Sequence, residues 1–153
     1  MAVATAERRD VPVYLKGLGS VTASNTVSVR SRVDGQLTQI NFREGQHVKK
    51  GELLAVIDPR PYQVALAQAQ ANLFRDQAQS KDARLNYERY KSLLEDSGGI
   101  SRQQVDTQRA SAEQLEGSVR ADQAQIDNAK LNLVYTHITA PISGRIGLRL
   151  VDV

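Results

Sequence analysis

The sequence contains no cysteine and no tryptophan, and aromatic residues make up only 5% of its 153 residues. Without cysteine, this chain has no disulfide, no thiolate metal site and no cysteine nucleophile. With so few aromatic side chains, it has little of the large apolar surface that builds a dense globular core. These absences favour an extended helical element over an ordinary compact domain.

The sequence also lacks an excess of one charge and a long apolar run. Twenty Lys and Arg are interleaved with 17 Asp and Glu, giving a net charge of +3, so we expect no nucleic-acid partner. No stretch approaches the roughly 18 apolar residues of a membrane span, and the opening MAVATAERRD lacks the apolar run of a signal peptide. We expect this chain to be soluble, and the sequence leaves open that it is part of an exported protein whose signal has been removed.

Sites for catalysis, metals and cofactors are missing from the sequence as well. The two histidines, His47 and His137, are far apart and have no clustered carboxylates beside them. No nucleophile elbow and no phosphate-binding loop occurs. The sequence therefore predicts no catalytic, metal-binding or cofactor-binding residue and a protein that is not an enzyme.

Composition divides the chain into three zones. Residues 1–57 and 133–153 are rich in Val, Thr and Gly, whereas residues 59–132 are rich in Ala, Gln and charged residues. Apolar residues at period two predict strands at residues 11–15 and 27–33, and LLAVI at 53–57 predicts a buried strand. The pairs DG, EG and KG predict tight turns with positive φ at Gly35, Gly45 and Gly51.

The middle zone predicts an antiparallel helical hairpin about 50 Å long, with helices at about 59–95 and 101–133. Gly98 or Gly99 ends the first helix, and Ser101 with Gln104 forms a capping box that starts the second. Each helix carries one coiled-coil seam, whose residues recur every seven positions. In the first helix the seam is Leu66, Leu73, Ser80, Tyr87 and Leu94, flanked by Ala69, Ala83 and Tyr90. In the second helix it is Val105, Ala112, Val119, Ile126 and Leu133, flanked by Leu115 and Ala129.

This seam is poor in large apolar residues, since Gln108 and Asp122 occupy positions that usually hold Leu, and Gly117 lies in mid-helix. We therefore predict that the hairpin packs laterally against other copies.

The outer zones resemble each other. RVDGQL at 32–37 aligns with PISGRI at 141–146, matching Gly35 with Gly144, and this predicts a β unit in two similar halves, 29–58 and 133–153. Gly144 is then expected at a turn. The second half ends before it matches the full length of the first, so we expect the chain to be a fragment of a longer protein.

A β module split by a helical hairpin resembles the periplasmic adaptors, or membrane fusion proteins, of tripartite efflux pumps. Two segments show this resemblance: VDGQLTQINFREGQHVKKGELLAVIDPRPYQ at 33–63 and LVYTHITAPISGRIG at 133–147. They resemble the two halves of a lipoyl-like domain. The resemblance is to the branch that serves proton-driven transporters of the resistance-nodulation-division class. It implies an α+β fold, a lipoyl-like sandwich with a coiled-coil hairpin, in which residues 1–28 are leading strands of a β-barrel domain.

The resemblance also implies a docking site at the hairpin tip. In the family, an Arg, a Leu four residues later and a Ser that opens the return helix meet the outer-membrane channel, and these match Arg89, Leu93 and Ser101. The family commonly has six residues between Leu and Ser, whereas this sequence has seven. The implied partners are an inner-membrane transporter, an outer-membrane channel and other copies, typically six. The implied location is the periplasm, in association with the inner membrane.

Three other functions compete with this hypothesis. An adaptor of an ATP-driven exporter would share the fold and the tip. A coiled-coil scaffold would have no transport role. A lipoyl or biotinyl carrier would need a modified lysine in a tight hairpin, but here Lys81 lies in the helical tract and no MKM occurs, so a carrier is disfavoured.

Overall fold

The computed structural model describes residues 1–97 and 99–149, which form a small β unit at the base of a long helical hairpin. The elements, in chain order, are β1 (Leu37–Ile40), β2 (His47–Val48), β3 (Leu53–Ile57), α1 (Arg60–Ser97), α2 (Arg102–Tyr135), β4 (His137–Thr139) and β5 (Gly144–Arg145). The predicted α+β class, a β unit divided by an antiparallel hairpin, is confirmed. Gly98, one of the two glycines expected to end α1, lies outside the described residues.

Strands from both sides of the hairpin build the β unit. β3 lies between β1 and β4 and is antiparallel to each, while β2 pairs with β5. The small core contains the buried residues Val48, Leu54 and Ala140, against which Phe42 and Ile146 pack. Because each sheet joins a strand before α1 to a strand after α2, the two ends of the hairpin are held side by side.

Residues 1–36, all of which the structure describes, form no helix or strand. The strands predicted at residues 11–15 and 27–33 are therefore not formed, and their apolar side chains are largely exposed. Alternation of apolar residues is not sufficient for a strand, because the backbone also needs a neighbouring strand for its hydrogen bonds. The assignment of residues 1–28 to a β-barrel domain stays a prediction.

Not all of the glycines predicted at turns lie in turns in the structure. Gly45 and Gly51 lie in turns with φ values of 77° and 84°, and Gly35 has a φ of 146°, all in the region that favours glycine. Gly144 does not form a turn, contrary to prediction. It lies in β5, paired with Val48 of β2, because the backbone is extended there to complete the ladder.

The hairpin is held by the seam that the sequence predicts. Its buried residues are Ala69, Ala83, Val105, Ala112 and Ile126. At the start of α1, the Asp58 carboxylate accepts a hydrogen bond from the Arg60 amide at 3.0 Å, which satisfies one of the free amides of the first turn. The Arg60 side chain also hydrogen-bonds this carboxylate and lowers the pKa of Asp58 to about 2. Asp58 is thus an ionised cap at neutral pH.

Candidate docking site at the hairpin tip

The tip comprises the last turns of α1 and the first turn of α2. α1 has 38 residues and α2 has 34, so at about 1.5 Å per residue the helices are roughly 57 and 51 Å long. The tip therefore lies on the order of 50 Å from the β unit.

A reciprocal capping box fixes the residue at which α2 begins. Ser101 is the N-cap, with an extended backbone (φ −79°, ψ 149°), and its hydroxyl oxygen accepts a hydrogen bond from the Gln104 amide at 3.2 Å. The Gln104 side-chain oxygen accepts one from the Ser101 amide at 3.0 Å. This capping box is confirmed as predicted, and it satisfies two amides that would otherwise lack partners in the helix.

Arg89 and Leu93 lie one helical turn apart on an exposed face of α1. Residues four apart on a helix are neighbours, so the two side chains form one surface. Leu93 is 44% exposed. The exposed Arg89 guanidinium donates a hydrogen bond to the neutral Asn86 side-chain oxygen at 2.9 Å and forms no ion pair with a carboxylate among the described residues. The surface thus combines an unneutralised cation with an apolar side chain.

The leucine next to Leu93 has a different role. Leu94 and Tyr90 are half-buried, and they continue the α1 seam toward Val105, the buried residue at the start of the α2 seam. Consecutive helical residues are rotated by about 100°, so Leu93 and Leu94 cannot share a face. Leu94 packs inside the hairpin, whereas the Leu93 side chain lies on the exposed face.

Other polar residues on α1 near the tip pair locally. The Ser92 hydroxyl donates a hydrogen bond to Asp96 at 3.0 Å, and Lys91 lies 3.9 Å from Glu95. Exposed pairs of this kind stabilise a helix by about 0.2–0.5 kcal/mol each. On α1 near the tip, they leave Arg89 without an acidic partner in the described chain.

The residues considered for metal binding or for attachment of a cofactor lie apart from one another. His47 is in β2 and His137 in β4, which belong to different sheets, and Lys81 is exposed on α1. The described residues include no group of three or more His, Asp or Glu that could hold a metal ion. Likewise, neither described helix is long and apolar enough to cross a membrane.

Three contacts that the sequence did not indicate lie where the hairpin meets its base. The Tyr62 hydroxyl donates a hydrogen bond to the Asp34 carbonyl oxygen at 2.6 Å, which ties α1 to the segment before β1. Thr136 is fully buried where α2 meets β4, and its hydroxyl donates to the Leu133 carbonyl oxygen at 2.7 Å. The Arg32 guanidinium lies 4.9 Å from the Tyr135 ring centroid. The contacts of Tyr62 and Arg32 join residues distant in sequence.

Comparison with known proteins gives consistent matches. The family described as RND MFP, barrel-sandwich hybrid domain, matches residues 25–153. Multidrug resistance protein MdtA of Yersinia pestis (strain Pestoides F) is 58% identical over 150 residues, which cover 98% of this chain and 34% of that protein. This chain therefore spans about a third of the length of the curated relatives it matches.

Two solved structures share the architecture at moderate identity. A MacA-MexA chimeric protein containing the Pseudomonas aeruginosa MexA α-hairpin domain has a TM-score of 0.53 and 38% identity, over 84% of this chain and 41% of that one. A putative efflux transporter from Bacteroides eggerthii has a TM-score of 0.52 and 31% identity, over 82% of this chain and 34% of that one.

Proposed function

The chain belongs to the membrane fusion protein family of resistance-nodulation-division (RND) efflux systems, and on this premise we propose that it is part of a periplasmic adaptor in a tripartite multidrug pump. The adaptor links an inner-membrane, proton-driven transporter to an outer-membrane channel and helps to form a sealed conduit for drugs. Its role is structural, not enzymatic. It acts in the periplasm in association with the inner membrane, and several copies, typically six, assemble around the conduit.

The observation that carries this proposal is the composition of the tip. Arg89 and Leu93 share one exposed surface of α1, and the Ser101 capping box fixes the adjacent start of α2. A long hairpin with a rigid end that presents a cation and an apolar side chain suits docking between the helices of a partner. We propose that these three residues contact the outer-membrane channel.

The alternatives receive less support. An adaptor of an ATP-driven exporter would share the hairpin, but the family that matches residues 25–153 is the RND family. A coiled-coil scaffold without a transport role has no need of an exposed Leu93 beside an unneutralised Arg89.

Site-specific cross-linking in cells tests the proposed docking. The chain is free of cysteine, so a cysteine introduced at Glu95 or Arg102, both exposed beside the tip, is the only thiol that this chain contributes to the complete protein. A bifunctional thiol-to-amine reagent is then added to cells that express the pump. We expect a cross-link from either position to an outer-membrane channel protein.

The control is Gln63→Cys, which places the same thiol on the exposed surface at the base of α1. It should give no link to the channel, because the base lies on the order of 50 Å from the tip. Failure of both tip cysteines to reach the channel, in a protein that is folded and exported, would favour the scaffold.

A further inference from the structure

The arginines of α1 and α2 differ in what their guanidinium groups contact. The two that lie at the tip, Arg89 and Arg102, form no ion pair among the described residues. The others each lie at most 3.9 Å from a carboxylate oxygen: Arg60, Arg75, Arg84, Arg109 and Arg120. Arginine charge is thus neutralised along the two helices and left unneutralised at their joined end.

Arg89 contacts an amide where the other α1 arginines contact a carboxylate. Its Nη1 atom donates a hydrogen bond to the Asn86 Oδ1 atom at 2.9 Å. An amide oxygen carries only a partial negative charge, so this hydrogen bond fixes the guanidinium without cancelling its charge. A guanidinium has five N–H donors, so most of the Arg89 donors remain for a partner outside the described chain.

The Asn86 side chain is itself held by a second hydrogen bond. Its Nδ2 atom donates to the Asp82 Oδ2 atom at 3.2 Å, one helical turn earlier. The two contacts fix the orientation of the amide, because the Arg89 guanidinium can only donate and so requires the amide oxygen on its side. The Asn86 oxygen therefore points toward Arg89 before any partner binds.

Asn86 also has less freedom to move than a fully exposed side chain. It is half-buried and borders the groove between the helices, which Gln108 and Ser111 of α2 also line. Asp82 borders the same groove. Arg89, by contrast, is exposed. The two hydrogen bonds thus connect a groove within the hairpin to an exposed cation.

The hydrogen-bonded residues lie on the helix face that presents Leu93. Asp82, Asn86, Arg89 and Leu93 follow one another at intervals of four, three and four residues. Residues at these intervals are neighbours on one face of a helix. The hydrogen bonds therefore lead directly to the surface that we propose meets the channel.

We propose that Asn86 is a positioning residue for docking: it holds the Arg89 guanidinium on the docking surface and leaves its charge available to the channel. An arginine that is already held in place loses less side-chain freedom when it binds. A carboxylate at the same position would hold the guanidinium but would also neutralise it. This inference rests on the proposed function and adds a residue to its site.

A purely structural role for Asn86 makes a different prediction. Asparagine is a poorer helix former than alanine, and side-chain hydrogen bonds within a helix compensate for a similar amount. In the complete protein, followed by circular dichroism at 222 nm, Asn86→Ala should therefore lower the thermal unfolding midpoint by no more than about 2 °C. A larger fall would mean that Asn86 supports the hairpin and would overturn the assignment.

The test is the rate at which the tip cross-links to the outer-membrane channel in cells, with Glu95→Cys in the complete protein as the common background. Four forms are compared: the otherwise unchanged tip, Asn86→Ala, Arg89→Ala and the double variant. We expect Asn86→Ala to lower the initial rate about threefold to tenfold, the effect of losing one hydrogen bond to a charged group. Arg89→Ala should lower the rate at least as much.

The double variant separates positioning from an independent contribution. It should cross-link no more slowly than Arg89→Ala alone, because Asn86 acts only through Arg89. Losses that multiply would show that Asn86 acts without Arg89 and would overturn the assignment.

The variant Asn86→Asp tests whether the acceptor must be neutral. It keeps a side-chain oxygen but places a carboxylate three residues before Arg89, where an ion pair can form. We expect a cross-linking rate as low as that of Asn86→Ala, or lower. A rate equal to that of the unchanged tip would overturn the role of the neutral amide.

The matched control is Asn72→Ala. Asn72 is also half-buried on α1, and its Oδ1 atom accepts a hydrogen bond from Gln68 at 3.2 Å. It lies about 25 Å along the helix from Arg89, so its loss should leave the cross-linking rate unchanged. Equal slowing by Asn72→Ala and Asn86→Ala would show a general effect on α1 and overturn the positioning role.

The remaining outcomes distinguish this inference from the proposed docking. A rate that Arg89→Ala lowers and Asn86→Ala does not would overturn the positioning role and leave docking intact. Absence of a cross-link in every form, including the unchanged tip, would contradict docking and this inference together.

Discussion

Gly35 packs so closely against Ile57 that a methyl group on Gly35 would lie 2.7 Å from the Ile57 Cγ2 atom. Ile57, the last residue of β3, is 3% exposed and cannot readily move away. The Gly35 φ of 146° is also one that other residues rarely adopt. Two independent steric reasons therefore require glycine where the chain approaches β1.

The substitution Gly35→Ala should consequently destabilise the β unit by about 1–3 kcal/mol, through backbone strain and overpacking against Ile57. Thermal or urea unfolding of the purified chain measures this loss. Gly147→Ala is the control, because a methyl group there has no neighbour within 4 Å. It should change stability by less than about 0.5 kcal/mol. Equal changes in stability at the two sites would show that the Ile57 side chain moves aside at little cost.

The substitution Leu93→Asp should abolish drug export while leaving helicity unchanged. Leu93 is 44% exposed on the face it shares with Arg89, so a charge there disturbs a partner and not the hairpin. Drug susceptibility of cells that express the complete protein, together with circular dichroism of the purified chain, provides both measurements.

The matched control is Leu94→Asp, one residue along the same helix. Leu94 is half-buried in the seam, so a carboxylate there should lower the thermal unfolding midpoint of the hairpin. If Leu93→Asp also unfolds the hairpin, Leu93 supports the fold and its assignment to the docking surface is wrong.

The capping box predicts a local loss of stability on Ser101→Ala. Removal of the hydroxyl that accepts the Gln104 amide should cost about 1 kcal/mol, concentrated in the first turn of α2. Hydrogen exchange of the amides at 102–105 should accelerate, while exchange near Ile126 should not. Ser101→Asp keeps an acceptor at the cap and should retain most of the protection. Uniform acceleration along α2 would contradict a local role for this cap.

The structural features that the sequence predicts best are those set by residues close together along the chain. The seven-residue repeat identifies Ala112 and Ile126 as seam residues, because each repeat returns a side chain to the same face. The Ser101 capping box is equally local, since its two partners lie three residues apart. The assignment of Arg89, Leu93 and Ser101 to a channel contact derives from family resemblance and stays a prediction.

Features that depend on distant residues could not be predicted in this way. The alternation in residues 11–15 predicts a strand, but whether one forms depends on a neighbouring strand. Gly144 looked like a turn residue by analogy with Gly35, yet pairing with Val48 places it in β5. The hydrogen bond from Tyr62 to the Asp34 carbonyl oxygen joins residues 28 apart, and nothing in the local pattern indicates it.

The weakest point of the seam is Asp122, a carboxylate at a position that usually holds leucine. Its Oδ2 atom is buried and has no hydrogen-bond partner among the described residues. Asp76 lies across the seam, near enough for the two carboxyl groups to interact. The hydrogen bond from Arg75, at 2.7 Å, holds the pKa of Asp76 below its usual range, so Asp76 is ionised at neutral pH. Asp122 therefore lies beside an ionised carboxylate, and the Arg75 guanidinium is a cation near both carboxyl groups.

We expect Asp122→Leu to stabilise the hairpin by about 1–3 kcal/mol, because it removes an unsatisfied buried oxygen and adds apolar surface to the seam. Urea unfolding followed by circular dichroism at 222 nm measures the change. Asp127→Leu provides the control: that carboxylate is exposed, 3.8 Å from Lys130, and its loss should alter stability by less than about 0.5 kcal/mol. Destabilisation by Asp122→Leu would instead show that the buried carboxylate holds the register of the two helices.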